Sequence, residues 1–409
     1  MANLVLKPST GAGNSVIIKD QGGGAVLTTA DSGIVKLGMT ATSKPSSPGA
    51  GEIYFNSALK ALCFWDGAMW RIISGGPSGG QIHDYLLSGV SYRSHTFLDV
   101  GVSGFYLPAT TTLDVLMVGG GGSGGHGGNN YGGGGGAGGM IIRPARSTAA
   151  GTYDIVIGAG GIAPFGVSKN VSAYNTKGSG SSGYNSTAFG MTALGGGFGG
   201  YNTTGGGAGG SGGGTGNQSD TADAPAGSQT TDSSISAESR TYGFGNAGGN
   251  TLASGTGSTG KAGSGGGAGS VGNFYRGEEY VPASGQEHYD RGMVGGDGKV
   301  NNYRTGVDIW YACGGGSAAW SVSDKSTVGG TYTIESGIGG YGSLYPSSCG
   351  SMLDSRSVGG VRARATAQPG TPNTGNGGGG GANNYYDTPG GRSAGGDGGS
   401  GIIVIRYVV

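Results

Sequence analysis

Charge is scarce in this chain. Only 11% of its residues are charged, and 23 basic residues balance 23 acidic ones, giving a formal net charge of zero. A neutral, weakly charged surface offers no electrostatic footprint for nucleic acid or anionic lipid, and nucleic-acid binding is dropped on that ground. Cysteine is nearly absent: Cys63, Cys313 and Cys349 lie far apart, without a C-x-x-C pair. That spacing excludes a disulfide framework and a zinc site. The three read as small core residues, with a bridge between Cys313 and Cys349 left open. Long apolar runs are missing as well. Ile402 to Ile405 is far too short to cross a bilayer, and Met1 to Lys7 lacks the basic and apolar stretches of a secretion signal. A soluble protein made in a cytoplasm, with no membrane insertion, is the expectation. The four histidines, His83, His95, His126 and His288, show no ligand spacing, so neither metal nor cofactor is expected.

What the chain has in excess is glycine, 102 of 409 residues, about three times the usual share of ~7%. Residues 1–74 come first and read as short strands: Asn3 to Lys7, Val16 to Lys19, Ala25 to Thr29 and Gly33 to Leu37, separated by turn residues. Pro45 and Pro48 mark a break. Then follow Gly51 to Asn56, Leu62-Cys63-Phe64-Trp65, the dipeptide Asp66-Gly67, and Met69 to Ile73. Asp-Gly between aromatic-rich strands signals a two-residue hairpin. Such a module is too small to bury a large core by itself, and it reads as an attachment module. Residues 75–80 form a linker. Strand-like patterning resumes at 81 and is clearest in Leu113 to Val118, Met140 to Arg143, Tyr153 to Ile157 and Ile402 to Tyr407. These strands bracket the glycine-rich region, and a sheet joining first and last would clamp what lies between.

Residues 119–400 admit three readings. Low-complexity disorder fits the glycine and proline content. Collagen needs glycine at every third position and much more proline than the 13 present, so it fails. The third is a bundle of polyproline-II-like glycine helices, with three residues per turn and no internal hydrogen bonds. Their backbone groups must find partners on neighbouring helices, which can approach only where no Cβ intervenes. An edge helix can then carry one outward side chain per turn. That spacing occurs at Ser123, His126 and Asn129, at Ala394, Asp397 and Ser400, at Phe198 and Tyr201, and at Ala208 and Ser211. Gly132 to Gly136 suits an interior helix. The expected fold is therefore mostly β with polyglycine helices: an N-terminal β anchor, a small β-sandwich and a glycine-helix bundle, with little or no α-helix.

Between the glycine blocks lie segments 163–194, 217–245, 273–313 and 317–375, rich in Tyr, Asn, Ser, Thr and Asp. Tyrosine among Ser, Gly and Asn is the composition of recognition loops, and loops on a rigid scaffold are where binding usually sits. The candidate contact residues are Tyr131, Tyr201, Tyr275, Tyr280, Tyr303, Trp310, Tyr311, Tyr385 and Tyr386. The alternative is that these aromatics pin the loops to the scaffold.

Leu113 to Gly122, Gly132 to Met140, Tyr153 to Gly161 and the ending Gly398 to Tyr407 resemble the glycine-rich domain of bacteriophage tail-fibre proteins, which is related to the tip adhesins of T-even-type phages. The resemblance covers roughly residues 95–409. Tyr54-x-Asn56 and Trp65-Asp66-Gly67-x-x-Trp70 separately resemble a module common in phage fibre proteins. The family implies a sandwich of polyglycine helices whose variable loops touch a host surface receptor, protein or glycan. It also implies location in the virion after assembly in the host cytoplasm, contact with other tail proteins through residues 1–74, and a homotrimer. The chain departs from the tip adhesins in carrying its own N-terminal strand region.

An enzymatic tailspike would need two carboxylates across a saccharide groove. Glu278, Glu279, Glu287, Asp290 and Asp308, with His288, fall in one loop-like segment and read as a solvated cluster. Matches to G-x-G-x-x-G open no helix. A non-enzymatic attachment role is the expectation, with a head fibre or decoration protein as the alternative.

Overall fold

In the computed structural model, the described residues are 17–19, 25–29, 35–37, 40–41, 52–56, 61–65, 67, 70–74, 76–127, 131–164, 178–202, 204–216, 225–251, 262–272, 294–318, 367–381 and 395–409. The chain forms two compact units: Met1–Ser78 with Tyr106–Thr111 and Thr148–Thr152, and Gly79–Phe105 with Thr112–Ser147 and Tyr153–Val409. Strands dominate, and one five-residue helix, α1 (Ala237–Thr241), is the only one among the described residues.

The first unit holds an antiparallel sheet of β1 (Ile17–Lys19), β2 (Ala25–Thr29) and β3 (Val35–Leu37). A second sheet joins β4 (Thr40–Ala41), β5 (Ile53–Asn56), β6 (Ala61–Trp65) and β7 (Trp70–Ser74). The expected hairpin forms between β6 and β7, but its register pairs Trp65 with Trp70. Residues 66–69 therefore make a longer connection than the two-residue turn that Asp66-Gly67 suggests, with Gly67 at φ 100°. The expected strand Asn3 to Lys7 lies outside the described residues.

The second unit is built on strands β8 (Gln81–Leu87), β9 (Val90–Phe97), β10 (Gly101–Leu107), β11 (Thr111–Val118), β12 (Met140–Thr148) and β13 (Gly151–Ile157). Later in the chain come β14 (Ser186–Ala188), β15 (Met191–Ala193), β16 (Gly243–Phe244), β17 (Lys299–Asn301), β18 (Ile309–Tyr311) and β19 (Ile402–Val408). A six-stranded sheet has the order β16-β12-β11-β19-β9-β8, and a four-stranded one β10-β13-β14-β15. The closing strand β19 sits inside the larger sheet, antiparallel to β11 through Val118↔Ile402 and to β9 through Ile403↔Phe97. The chain's last strand thus completes the sheet begun by its earlier ones, as the bracketing pattern suggests.

Alternation assigns the two faces of the larger sheet. Leu116, Val118, Met140, Ile402 and Val404 pack with Ala137, Tyr303, Tyr311 and Ala312. Val115, Met117, Ile403 and Ile405, also fully buried, point the other way, toward the smaller sheet with its buried Ile155, Ile157 and Met191. Phe105 marks that second interface, in edge contact with His95, Phe97 and Phe189.

His95 is fully buried in it. Its Nδ1 lies 2.7 Å from the Gly79 carbonyl, which can only accept, so Nδ1 carries the proton and Nε2 accepts from the Tyr407 hydroxyl at 3.2 Å. Burial lowers the His95 pKa, the Gly79 hydrogen bond opposes that shift, and the Arg93 charge adds to it.

Beyond the sheets the chain runs in extended glycine segments whose backbone groups bond mostly to one another. Gly119, Gly122 and Gly125 donate to the carbonyls of Gly139, Gly136 and Gly133. Gly120, Ser123 and His126 donate to Tyr184, Ser181 and Gly178, and Gly121 and Gly124 to Gly399 and Gly396. Each neighbour is met at every third residue, the period of a three-fold helix. The segment 132–139 is the interior case. Its amides reach three segments, at Gly375–Gly378–Gly381, Leu194–Gly197–Gly200 and Gly263–Gly266, and its carbonyls accept from three more, at 119–125, 211–214 and 315–318. All its residues are buried. A Cβ on Gly135 would fall against the Gly122 carbonyl, closer than the 3.0 Å that real Cβ atoms respect.

The three-residue spacing is right, but the expected outward direction holds only for some side chains. Ala208 and Asp397 are exposed, whereas Ser123, Ser211, His126 and Tyr201 are buried. The physical reason is that a polar side chain can replace a missing helix. Ser123 Oγ donates to Ile162 O and accepts from Ser181 N. Asn185 Oδ1 accepts from Gly195 N, and Asn376 Oδ1 from Cys313 N. Gln229 accepts from Leu194 N and donates to Thr192 O. Even exposed Asp397 accepts from Ala163 N.

Two outcomes are expected. Gly135→Ala should lower stability by about 1–3 kcal/mol through overpacking, read as a drop in Tm. Gly104→Ala, where a Cβ meets nothing within 4 Å, should leave Tm nearly unchanged. For His95, the unfolded chain takes up its proton from about pH 6.5 downward, while the folded chain does so only at lower pH. Its contribution to stability is therefore complete above that pH and is lost as pH falls through the folded value. Tm should fall between pH 7.5 and 5.5, and His95→Gln should flatten that slope; equal slopes would refute the assignment.

Candidate recognition end

The glycine helices have a fixed end and a far end. At the fixed end, Gly119 follows β11, Gly139 precedes β12, Gly158 follows β13, Leu194 follows β15 and Gly401 precedes β19. Bonds Gly119–Gly139, Gly139–Leu194 and Gly401–Gly158 tie these positions together at the sheet. Going outward in register, Gly125 meets Gly133 and Gly381, His126 meets Gly178, Gly132 meets Gly381 and Ala318, and Gly134 meets Gly263. Gly216 meets Thr204, which itself folds back on Tyr201. These are the residues at which the described chain breaks off.

Connections 128–130, 165–177, 252–261, 319–366 and 382–394 therefore all leave from and return to one end of the bundle. Segment 273–293 joins them, because Gly272 and Gly296 bond to Ala247 and Gly265 within the same array. The described residues that flank these connections thus lie together at one end of the array. The opposite, strand-proximal ends turn tightly, as at 371–375, where Asn373 and Gly375 take φ 60° and 68°.

The nine candidate residues fall into two groups. Tyr275, Tyr280, Tyr385 and Tyr386 lie outside the described residues, within those connections. The other five belong to the scaffold. Tyr131 is 7% exposed and packs with Ala262 and Ala318. Tyr201, at 9%, meets His126 edge-on, ring centroids 6.1 Å apart. These two close the far end of the bundle from inside. Tyr303, Trp310 and Tyr311 belong to the β17–β18 hairpin, which covers one face of the six-stranded sheet. Tyr311 is fully buried, and burial pushes its hydroxyl up to about 12. Tyr303 lies under the Arg406 guanidinium at 4.0 Å, with Tyr92 4.4 Å from the same group. Arg406 also pairs with Asp114 at 2.9 Å and donates to Tyr85 Oη and Asn302 Oδ1. Burial raises the Tyr85 and Tyr303 hydroxyls. This cation sandwich locks the hairpin to the sheet and leaves Trp310 half-buried beside it.

Parts of the inserted segments are likewise scaffold. Residues 178–194 supply β14 and β15, and 225–245 supply α1, capped by Ser236, and the edge strand β16. Glu238 of α1 holds Arg143 and Arg146 at 2.7 and 3.2 Å. The hydrogen-bonding roles of Asn185, Gln229 and Asn376 went unnoticed in the sequence. Of the three, only Asn376 carried a signal that could have found it, an isolated Asn between Gly375 and the block Gly377 to Gly381.

Among the described residues no group of three His, Cys, Asp or Glu could hold a metal ion, and no helix is long and apolar enough to cross a membrane. Asp308 is exposed, and Glu278, Glu279, Glu287, His288 and Asp290 lie outside the described residues. Cys313 is buried and disulfide-bonded, which corrects its reading as an isolated core residue; Cys349, with which a bridge was left open, lies outside the described residues.

No curated protein matches the chain. A family model for a glycine-rich domain matches residues 99–408, the span that holds the whole glycine array and the strands from β10 to β19. By that match and by the bundle itself, the chain belongs to the glycine-rich domain family.

Proposed function

We propose that this chain is a receptor-binding protein of a bacteriophage tail fibre, attaching the virion to a host-cell surface without enzymatic action. The observation that carries the proposal is that the described residues flanking the Tyr-, Asn- and Ser-rich connections lie together at one end of the glycine bundle. A rigid array holding variable loops at its tip is a recognition architecture. The bundle fixes where each loop begins and ends, which reduces the ordering cost of binding. Tyr275, Tyr280, Tyr385 and Tyr386 are the proposed contact residues. Residues 1–74 are proposed to join other tail proteins, so that several copies share one virion. Weak contacts from several copies then add as avidity.

The test uses the fluorescently labelled full chain on cells that the parent phage infects. It should stain them and block adsorption of the phage. A variant with 273–293 and 382–394 replaced by short Gly-Ser links should bind at least about tenfold more weakly, with its Tm retained. Absence of staining on a permissive host would overturn the proposal and favour a decoration protein of the head or tail.

A further inference from the structure

The hairpin of β17 and β18 has a covered side and an open one. Its pairing sets Asn301 opposite Ile309 and Lys299 opposite Tyr311. Asn301 and Tyr311 are buried, and Ile309 packs against the core cluster of the six-stranded sheet. By the two-residue period of a strand, Val300 and Trp310, paired in the same register, point away from that sheet. Trp310 is half-buried and takes no part in the core cluster that Tyr311 joins. Among the described residues, its side chain enters no hydrogen bond and no ring contact. A tryptophan held outside the core it adjoins is the kind of residue that anchors a partner.

Asp308 directly precedes β18 and is exposed. The spacing of an extended chain puts it about 7 Å from Trp310 on the same open side. Its carboxylate forms no ion pair among the described residues, and Val307 beside it is 68% exposed. The basic residue of the connecting turn, Arg304, is engaged elsewhere: its charge acts on the Tyr311 hydroxyl on the covered side. The turn itself is pinned to the sheet. Tyr85 Oη donates to the Tyr303 carbonyl at 2.8 Å, and Ser94 Oγ donates to the Arg304 carbonyl at 2.7 Å. Gly306, at φ 79°, lies so close to the Tyr85 ring that a Cβ would fall 2.7 Å from it. Val307, Asp308 and Trp310 are therefore displayed from a fixed backbone, which lowers the ordering cost of binding.

An indole face draws a cation, and tryptophan does so more strongly than the other rings. An unpaired carboxylate beside it adds a full charge and an acceptor for a charge-assisted hydrogen bond. An exposed aliphatic side chain next to both suits the methylene stem that carries the charge of lysine or arginine. A neutral saccharide would use the ring and leave the charge unanswered. We propose that Trp310, Asp308 and Val307 form a site for a lysine or arginine side chain on the surface of a partner protein. The site stands over the six-stranded sheet, apart from the far end of the glycine bundle. It goes beyond the attachment role and does not depend on it.

The test uses the full chain labelled with ¹⁵N at tryptophan, the Trp310 indole resonance being assigned from its loss in Trp310→Phe. Nα-acetyl-lysine amide should shift that resonance saturably, and about 0.5 M salt should weaken the effect. Nα-acetyl-norleucine amide, which has the stem without the charge, and methyl glucoside should leave it in place. Asp308→Asn, at an exposed position, should raise Kd for the lysine probe at least about threefold with Tm retained. The absence of a saturable shift, an equal response to the neutral probes, or a Kd unchanged in Asp308→Asn would overturn the proposal.

Discussion

The Gly135 amide reaches the Gly378 carbonyl at 2.8 Å, and one turn away Gly132 reaches Gly381 at 2.9 Å. Every backbone group of a three-fold helix must be satisfied from outside, so each helix needs neighbours on all sides at a spacing that leaves no room for a Cβ. That constraint governs the rest of the structure. It demands pure glycine at 132–136, where the helix is surrounded on every side. It admits Ser123, Asn185, Gln229, Asn376 and Asp397 where a neighbour is missing and a side chain can take its place.

The same constraint makes the bundle marginal alone. Ordering a residue's backbone costs about 1–2 kcal/mol, and a net hydrogen bond returns about 0.5–1.5 kcal/mol. With roughly one bond donated per glycine, the two nearly cancel. The surplus must come from apolar burial, and that burial is in the sandwich: Phe105, Val115, Met117, Ile155, Ile403 and Ile405 on one face, Leu116, Val118, Met140, Ile402 and Val404 on the other. Ala137 belongs to that second cluster, at the point where the glycine array passes into the core. Sheet and bundle depend on each other, since the strands fix the helix ends and the helices connect strands far apart in sequence.

Much of this was legible in the residues. The runs Leu113 to Val118 and Ile402 to Tyr407 carry an unmistakable strand pattern, and the Gly-Gly-x period announces three-fold helices. Less legible was the direction of individual side chains. Tyr131, Tyr201, Tyr303 and Tyr311 have the composition of contact residues, yet they are 9% exposed or less. Composition cannot tell a tyrosine that closes the end of a bundle from one displayed beyond it, because both are flanked by glycine and polar residues. The Asp66-Gly67 turn shows the same limit: the dipeptide marks a reversal, while the pairing of Trp65 with Trp70 sets its length. The role of Arg406, between Tyr92 and Tyr303 and paired with Asp114, rests on long-range contacts that no local pattern encodes.

Native-state amide hydrogen exchange, resolved along the chain, tests the central claim most directly. A hydrogen-bonded glycine array clamped by the sheet predicts that the amides of 132–139 exchange only through global unfolding. They should then fall in the same slow class as those of β11 and β19, about 10⁴-fold or more below free-peptide rates. Free-peptide exchange throughout 119–127 and 131–139, with β11 and β19 still protected, would contradict the account.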